Sequence, residues 1–149
     1  MPAILIVAHV PLASSLKAVA QHVYPDCSRH LGAVDVMPGA SLDSAQGLVR
    51  QAMADLNVTD VLVLTDVFGA TPCNAAMAAT DGLHSRVVAG VNVPMLWRTL
   101  CYADLPLEEL VRRAVAGATQ GVMQVSSPRR QNQGPTVGSH DQDKEAHQQ

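Results

Sequence analysis

Two spacings of apolar side chains alternate along the chain. Ile4-Leu5-Ile6-Val7-Ala8 and Val61-Leu62-Val63-Leu64-Thr65 are short, nearly unbroken apolar runs, the pattern of strands buried on both faces. A weaker run covers residues 33–37 and closes at Pro38-Gly39, and a fourth covers residues 86–91. Between them the period changes to that of a helix. Leu12, Leu16, Val19 and Val23 mark a first helix, and Leu42, Ala45, Val49, Met53 and Leu56 mark a second behind a Ser41 cap. A third helix has Thr71 at its N-cap, Pro72 at its first position and Gly82 as its stop. Asn92-Val93-Pro94 turns the chain into a fourth helix carrying Met95, Leu96, Trp97 and Leu100. A last helix over about residues 105–118 holds Pro106, Glu108 and Glu109 in its first turn, and Gly121 releases it into a short apolar run at residues 122–125. The alternation predicts an α/β three-layer sandwich with a mainly parallel four-stranded sheet, to which residues 122–125 add a short C-terminal strand.

Right-handed crossovers allow the strand order 2-1-3-4, which sets strands one and three side by side with their following helices on opposite faces. The crevice then opens beyond the carboxyl ends of those two strands. His9 ends the first and Asp66 ends the third. Neighbouring strands lie roughly 5 Å apart, so the carboxylate reaches the near ring nitrogen of the imidazole. The loop Gly69-Ala70-Thr71 leads from Asp66 into the third helix, whose unpaired N–H groups suit an anion.

This combination points to phosphoryl transfer. A histidine nitrogen attacks phosphorus only with its lone pair free, so the proton must sit on the other nitrogen. Asp66, by accepting that N–H, sets the tautomer and makes the outer nitrogen more basic. Gly69 and Ala70 permit close approach, and the Thr71 hydroxyl with the helix start offers donors to phosphoryl oxygens. The catalytic pair is therefore His9 and Asp66, and the phosphate-binding residues are Gly69, Ala70 and Thr71. A metal site is a weaker reading because only two ligands converge. No cofactor is expected.

Composition narrows the field. The 149 residues are 48% hydrophobic but only 3% aromatic, so a core of Ala, Val, Leu and Met is expected, with small side chains favouring close helix-on-sheet contact. A net charge of −3 and the lack of a basic stripe argue against nucleic acid. Cys27, Cys73 and Cys101 are odd in number and have no C-x-x-C spacing, which argues against a disulfide framework or a zinc site. Cys73 reads as a packing residue. His22, His30 and His84 read as surface residues, and Arg112 and Arg113 as a solvated helix face. With no leader or membrane span expected, the protein reads as cytoplasmic. Residues 126–149 carry one Val, one Ala and no aromatic residue, and read as a disordered polar tail after a domain over residues 1–125.

The same residues resemble the IIA component (EIIA) of the mannose-type sugar phosphotransferase system. The likeness runs over nearly all of residues 3–125 and is most specific in Asp66 through Gly69-Ala70-Thr71-Pro72-Cys73-Asn74 and in Ala89-Gly90-Val91-Asn92-Val93-Pro94-Met95-Leu96. It implies that His9 takes a phosphoryl group from the carrier HPr at its far nitrogen, that Asp66 orients it, and that Thr71 contacts phosphate. It also implies a homodimer in which the strand at residues 122–125 crosses to the partner's sheet. Val10-Pro11 stands where many relatives have glycine, Thr71 where serine is frequent, and Cys73 where a larger residue is usual. Only the polar tail follows residue 125, so the expected acceptor is a separate IIB protein, or a regulatory partner that senses the phosphorylated state.

Overall fold

The computed structural model describes residues 1–126. Its elements are β1 (Ala3–His9), α1 (Leu12–Val23), β2 (Leu31–Val36), α2 (Leu42–Leu56), β3 (Val61–Thr65), α3 (Thr71–Ala79), β4 (Ser85–Ala89), α4 (Val93–Cys101) and α5 (Leu107–Gln120). The four strands form one parallel sheet in the order β2-β1-β3-β4, as the crossover rule requires.

The central strands β1 and β3 are apolar on both sides because each side is covered. Ile4, Ile6 and Ala8 of β1 pack with Leu62 and Leu64 of β3 beneath α1, α4 and α5. Leu5 and Val7 pack with Val61 and Val63 beneath α2 and α3. The helices after β1 and β3 therefore lie on opposite faces, and the chain reverses its winding between these two strands. A crevice at their carboxyl ends follows from that reversal.

Several details differ from the sequence reading. The buried stripe of α1 is Ala13, Leu16 and Ala20, whereas Leu12, Val19 and Val23 are exposed. Alanine wins this face because it brings the helix axis close to the sheet, where a row of larger side chains would hold it off. In α2, Leu42 is likewise exposed, and Ala45 and Val49 carry the buried face. β2 starts two residues earlier than expected because Leu31 reaches the α1-side core. β4 covers Ser85–Ala89 rather than residues 86–91, ending where Gly90 turns left-handed (φ 89°).

Ala70, not Thr71, is the N-cap of α3, and Thr71 is its first helical residue. That helix ends at Ala79, before Gly82, because Asp81 folds the following turn: its Oδ1 accepts the N–H groups of Leu83, His84 and Ser85. α5 begins at Leu107, with Pro106 at its N-cap. Residues 122–125 form no strand among the described residues, and Val122, Met123 and Val125 are exposed. The expected disordered tail, residues 126–149, lies outside the described residues except for Ser126.

Candidate functional site

His9 is the last residue of β1, and Asp66 is the first beyond β3. The register pairs Val7 with Thr65, which leaves His9 one step further along than Asp66. The Asp66 side chain bridges that offset. Its Oδ2 accepts the His9 backbone N–H at 2.9 Å and meets the ring Nδ1 at 2.6 Å, while its Oδ1 accepts the Val67 N–H at 2.9 Å. An ionised carboxylate only accepts, so in the neutral ring Nδ1 carries the proton and Nε2 the lone pair.

The two partners differ in exposure. The Asp66 side chain is 11% exposed and the His9 side chain 54%. Burial alone would push the Asp66 carboxyl up, but the hydrogen bonds from the His9 backbone, its ring and Val67 outweigh it and hold the carboxyl below its ordinary 3.8. Asp66 is thus a fixed, charged base plate under a ring whose outer edge faces solvent.

Helix N-termini at this end of the sheet differ in one respect. Three are occupied by side chains: Asp35 Oδ1 accepts from Ser14 N in α1, Ser41 Oγ from Ser44 N in α2, and Asn92 Oδ1 from Met95 N in α4. α3 follows Asp66 directly, and its N-cap, Ala70, has no side chain able to accept. Pro72 brings no N–H, so the Thr71 and Cys73 N–H groups are the first-turn donors left without a helical partner. Gly69 gives the loop its left-handed corner (φ 88°), and Asn74 Nδ2 donates back to the Gly69 carbonyl at 3.2 Å.

The structure thus joins His9 to Asp66 directly and sets Gly69, Ala70 and Thr71 on the loop that leaves Asp66; no hydrogen bond links these three to His9 among the described residues. Sequence reasoning missed Asp35 and gave Asn74, part of the quoted motif, no role of its own; both hold the loops around the His9–Asp66 pair. An acidic residue inside an otherwise apolar strand was the available signal for Asp35. Cys73 is buried, as a packing residue should be, and Arg112 and Arg113 both pair with Glu109. His84 is not a lone surface residue: its Nδ1 lies 3.0 Å from Asp60 Oδ1 at the opposite end of the sheet. No uncapped helix start follows that pair, so a His-carboxylate contact alone does not define the site.

Comparison with known proteins bears on the family and the fold. The family model described as PTS system fructose IIA component (EIIA-man) matches residues 3–115. The mannose-specific EIIAB component of Escherichia coli K12 is 37% identical over 97 residues, covering 62% of this chain but 30% of that protein, so the chain spans under a third of that relative. The fructose-specific EIIA component of Bacillus subtilis is 29% identical over 123 residues, covering 80% of this chain and 84% of that one. Among solved structures, the mannose/sorbose specific IIA subunit from Enterococcus faecalis superposes with a TM-score of 0.76 at 26% identity, over 85% of this chain and 96% of that one. EIIA from Streptococcus agalactiae superposes at 0.74 with 21% identity, over 83% and 97% of the two chains, a likeness of fold alone. Residues 3–115 take in β1 through most of α5, including His9, Asp66 and the α3 loop, and on that match the chain belongs to the EIIA-man family of phosphotransferase-system IIA components.

Proposed function

We propose that this protein is a phosphocarrier: His9 Nε2 accepts a phosphoryl group from phosphorylated HPr and passes it to a separate IIB protein. The 2.6 Å contact between His9 Nδ1 and Asp66 carries the reading, because it leaves Nε2 as the ring's nucleophile. In the forward step the donor's P–N bond breaks as the bond from phosphorus to Nε2 forms, and the ring proton stays on Nδ1. Positive character growing on the imidazole is stabilised by Asp66 behind it. The Thr71 and Cys73 N–H groups and the Thr71 hydroxyl are the donors for phosphoryl oxygens, with Gly69 and Ala70 allowing close approach.

Two features favour a protein donor over a small molecule. His9 stands exposed on a rim, and the exposed apolar side chains Leu12, Met37, Val67 and Phe68 follow the carboxyl ends of β1, β2 and β3 at the same end of the sheet. Apolar groups around an accessible nucleophile suit a transient docking face. The protein is also proposed to pair as a homodimer. β4 is an edge of the sheet beside a groove of about 510 Å³ lined by Phe68, Met77 and Val87, while residues 122–125 have no strand partner among the described residues. A strand lent by a second copy covers such an edge.

Incubation with phosphoenolpyruvate, enzyme I and HPr tests the transfer. One acid-labile, base-stable phosphate per chain is expected, absent in His9→Ala. Failure of the folded wild-type protein to take up phosphate would overturn the proposal.

A further inference from the structure

Cys27 and Cys101 lie 74 positions apart in the chain, yet both border one surface cavity of about 290 Å³, together with Met1, Asp26, Leu100, Ala103 and Asp104. Both are exposed, whereas Cys73 is buried. The approach has a structural cause independent of the sulfurs. Tyr24, which closes α1, stacks edge-on against Trp97 of α4 with ring centroids 5.3 Å apart. Trp97 stands one helical turn before Cys101, and Cys27 sits in the turn closed by the bond from Ser28 N to Tyr24 O. The aromatic pair therefore holds the two cysteine-bearing segments side by side.

We propose that Cys27 and Cys101 are a reversible dithiol, oxidised by a low-molecular-weight disulfide to an intramolecular disulfide. A disulfide needs Cα atoms roughly 4.4–6.8 Å apart. Cys27 belongs to an irregular turn and Cys101 is the last residue of its helix, so neither is held in a strand, and bridging them calls for movement of these two segments alone. No group of three or more His, Cys, Asp or Glu side chains converges among the described residues, which favours thiol chemistry over a metal cage despite the nearby Asp26 and Asp104.

With glutathione disulfide as oxidant the exchange balances. One cysteine, as thiolate, attacks a glutathione sulfur and expels one glutathione thiol; the other attacks the mixed disulfide and expels the second. The Cys27–Cys101 bond forms, the glutathione S–S bond breaks, and two electrons and two protons end on two glutathione molecules. Met1 at the cavity marks the amino end of β1, opposite to His9, so the bond forms away from the phosphoryl-accepting end.

The test equilibrates the full chain in buffers of reduced and oxidised glutathione, quenches with an alkylating agent and maps peptides by mass. The expected product is a single cross-linked pair of peptides containing Cys27 and Cys101, two hydrogens lighter than the sum and released by dithiothreitol. Cys73 should be alkylated only after unfolding. In Cys27→Ser and Cys101→Ser the remaining partner should end as a glutathione adduct. Oxidised wild type should melt several degrees above the reduced protein, a shift both variants lose. Separate glutathione adducts on Cys27 and Cys101, or linkage only between two chains, would overturn the proposal.

Discussion

Asp66 does three things with one carboxylate: it ends β3, replaces a ladder partner for the His9 N–H, and sets the imidazole tautomer. Asp66→Asn keeps the shape but turns an acceptor edge into a donor, and phosphoryl uptake from HPr should fall roughly 10- to 100-fold, read from initial rates of labelling. Its titration also has a sign. The folded pKa lies below the unfolded one, so the pairing stabilises the fold above the ordinary carboxylate value and is lost as pH falls through the folded pKa. Urea midpoints of wild type and Asp66→Asn should therefore differ at pH 6 and draw together only as pH falls below the ordinary carboxylate value of 3.8 and through the lower folded pKa. The preceding residue offers a contrasting case. Thr65 is wholly buried and its hydroxyl finds no hydrogen-bond partner among the described residues. Thr65→Val removes an unpaired polar atom at nearly constant shape and should raise the free energy of unfolding by about 1 kcal/mol, measured in urea.

Helix packing depends on where small residues stand. α4 and α5 lie so close that a Cβ at Gly117 would sit 2.7 Å from Arg98 Cβ, and one at Gly121 would sit 2.2 Å from Pro94 Cβ. Asn92 strengthens the same contact, since Nδ2 donates to the Ala118 carbonyl while Oδ1 caps α4. Gly121 reads in the sequence as a helix stop, but its backbone is ordinary right-handed helix (φ −79°), so close approach rather than conformational freedom explains glycine there. Gly121→Ala should cost about 1–3 kcal/mol through overpacking. Gly47, inside α2 with nothing within 4 Å of where a methyl would stand, should behave oppositely: Gly47→Ala is expected to stabilise by about 0.5–1 kcal/mol. Urea unfolding of the two variants beside wild type checks both signs.

At the scale of the whole molecule, the winding reversal between β1 and β3 brings residues 57 positions apart into a 2.6 Å contact and leaves β4 as an edge. The edge belongs to the proposed dimer. A chain ending at residue 121 should run as a monomer by light scattering while the intact chain runs as a dimer, and its His9 should still accept phosphate, because the acceptor pair lies within one copy. An intact chain that is monomeric at all concentrations would remove the crossing strand.

The two central strands of this protein were legible because each is buried on both faces, which writes a run of apolar residues that no neighbouring element alters. β1 and β3 were plain for that reason, and with them the residues at their carboxyl ends. Helix faces were less so: Leu12, Val19 and Val23 satisfy the helical period, yet Ala13, Leu16 and Ala20 face the sheet, because the tightness of helix-on-sheet packing is a property of the pair and not of either segment. The cap of α3, the carboxylate that Asp35 offers to α1 and the Asn74 clamp on Gly69 were equally hidden, since each depends on which polar atom the completed fold leaves within hydrogen-bond reach. Local sequence thus determined the elements, their order and the His-Asp pair at the two strand ends, through burial patterns that act within a few residues. Tertiary structure alone decided which imidazole nitrogen is bare and which helix start is left open, because both are settled by contacts between strands and helices distant in the chain.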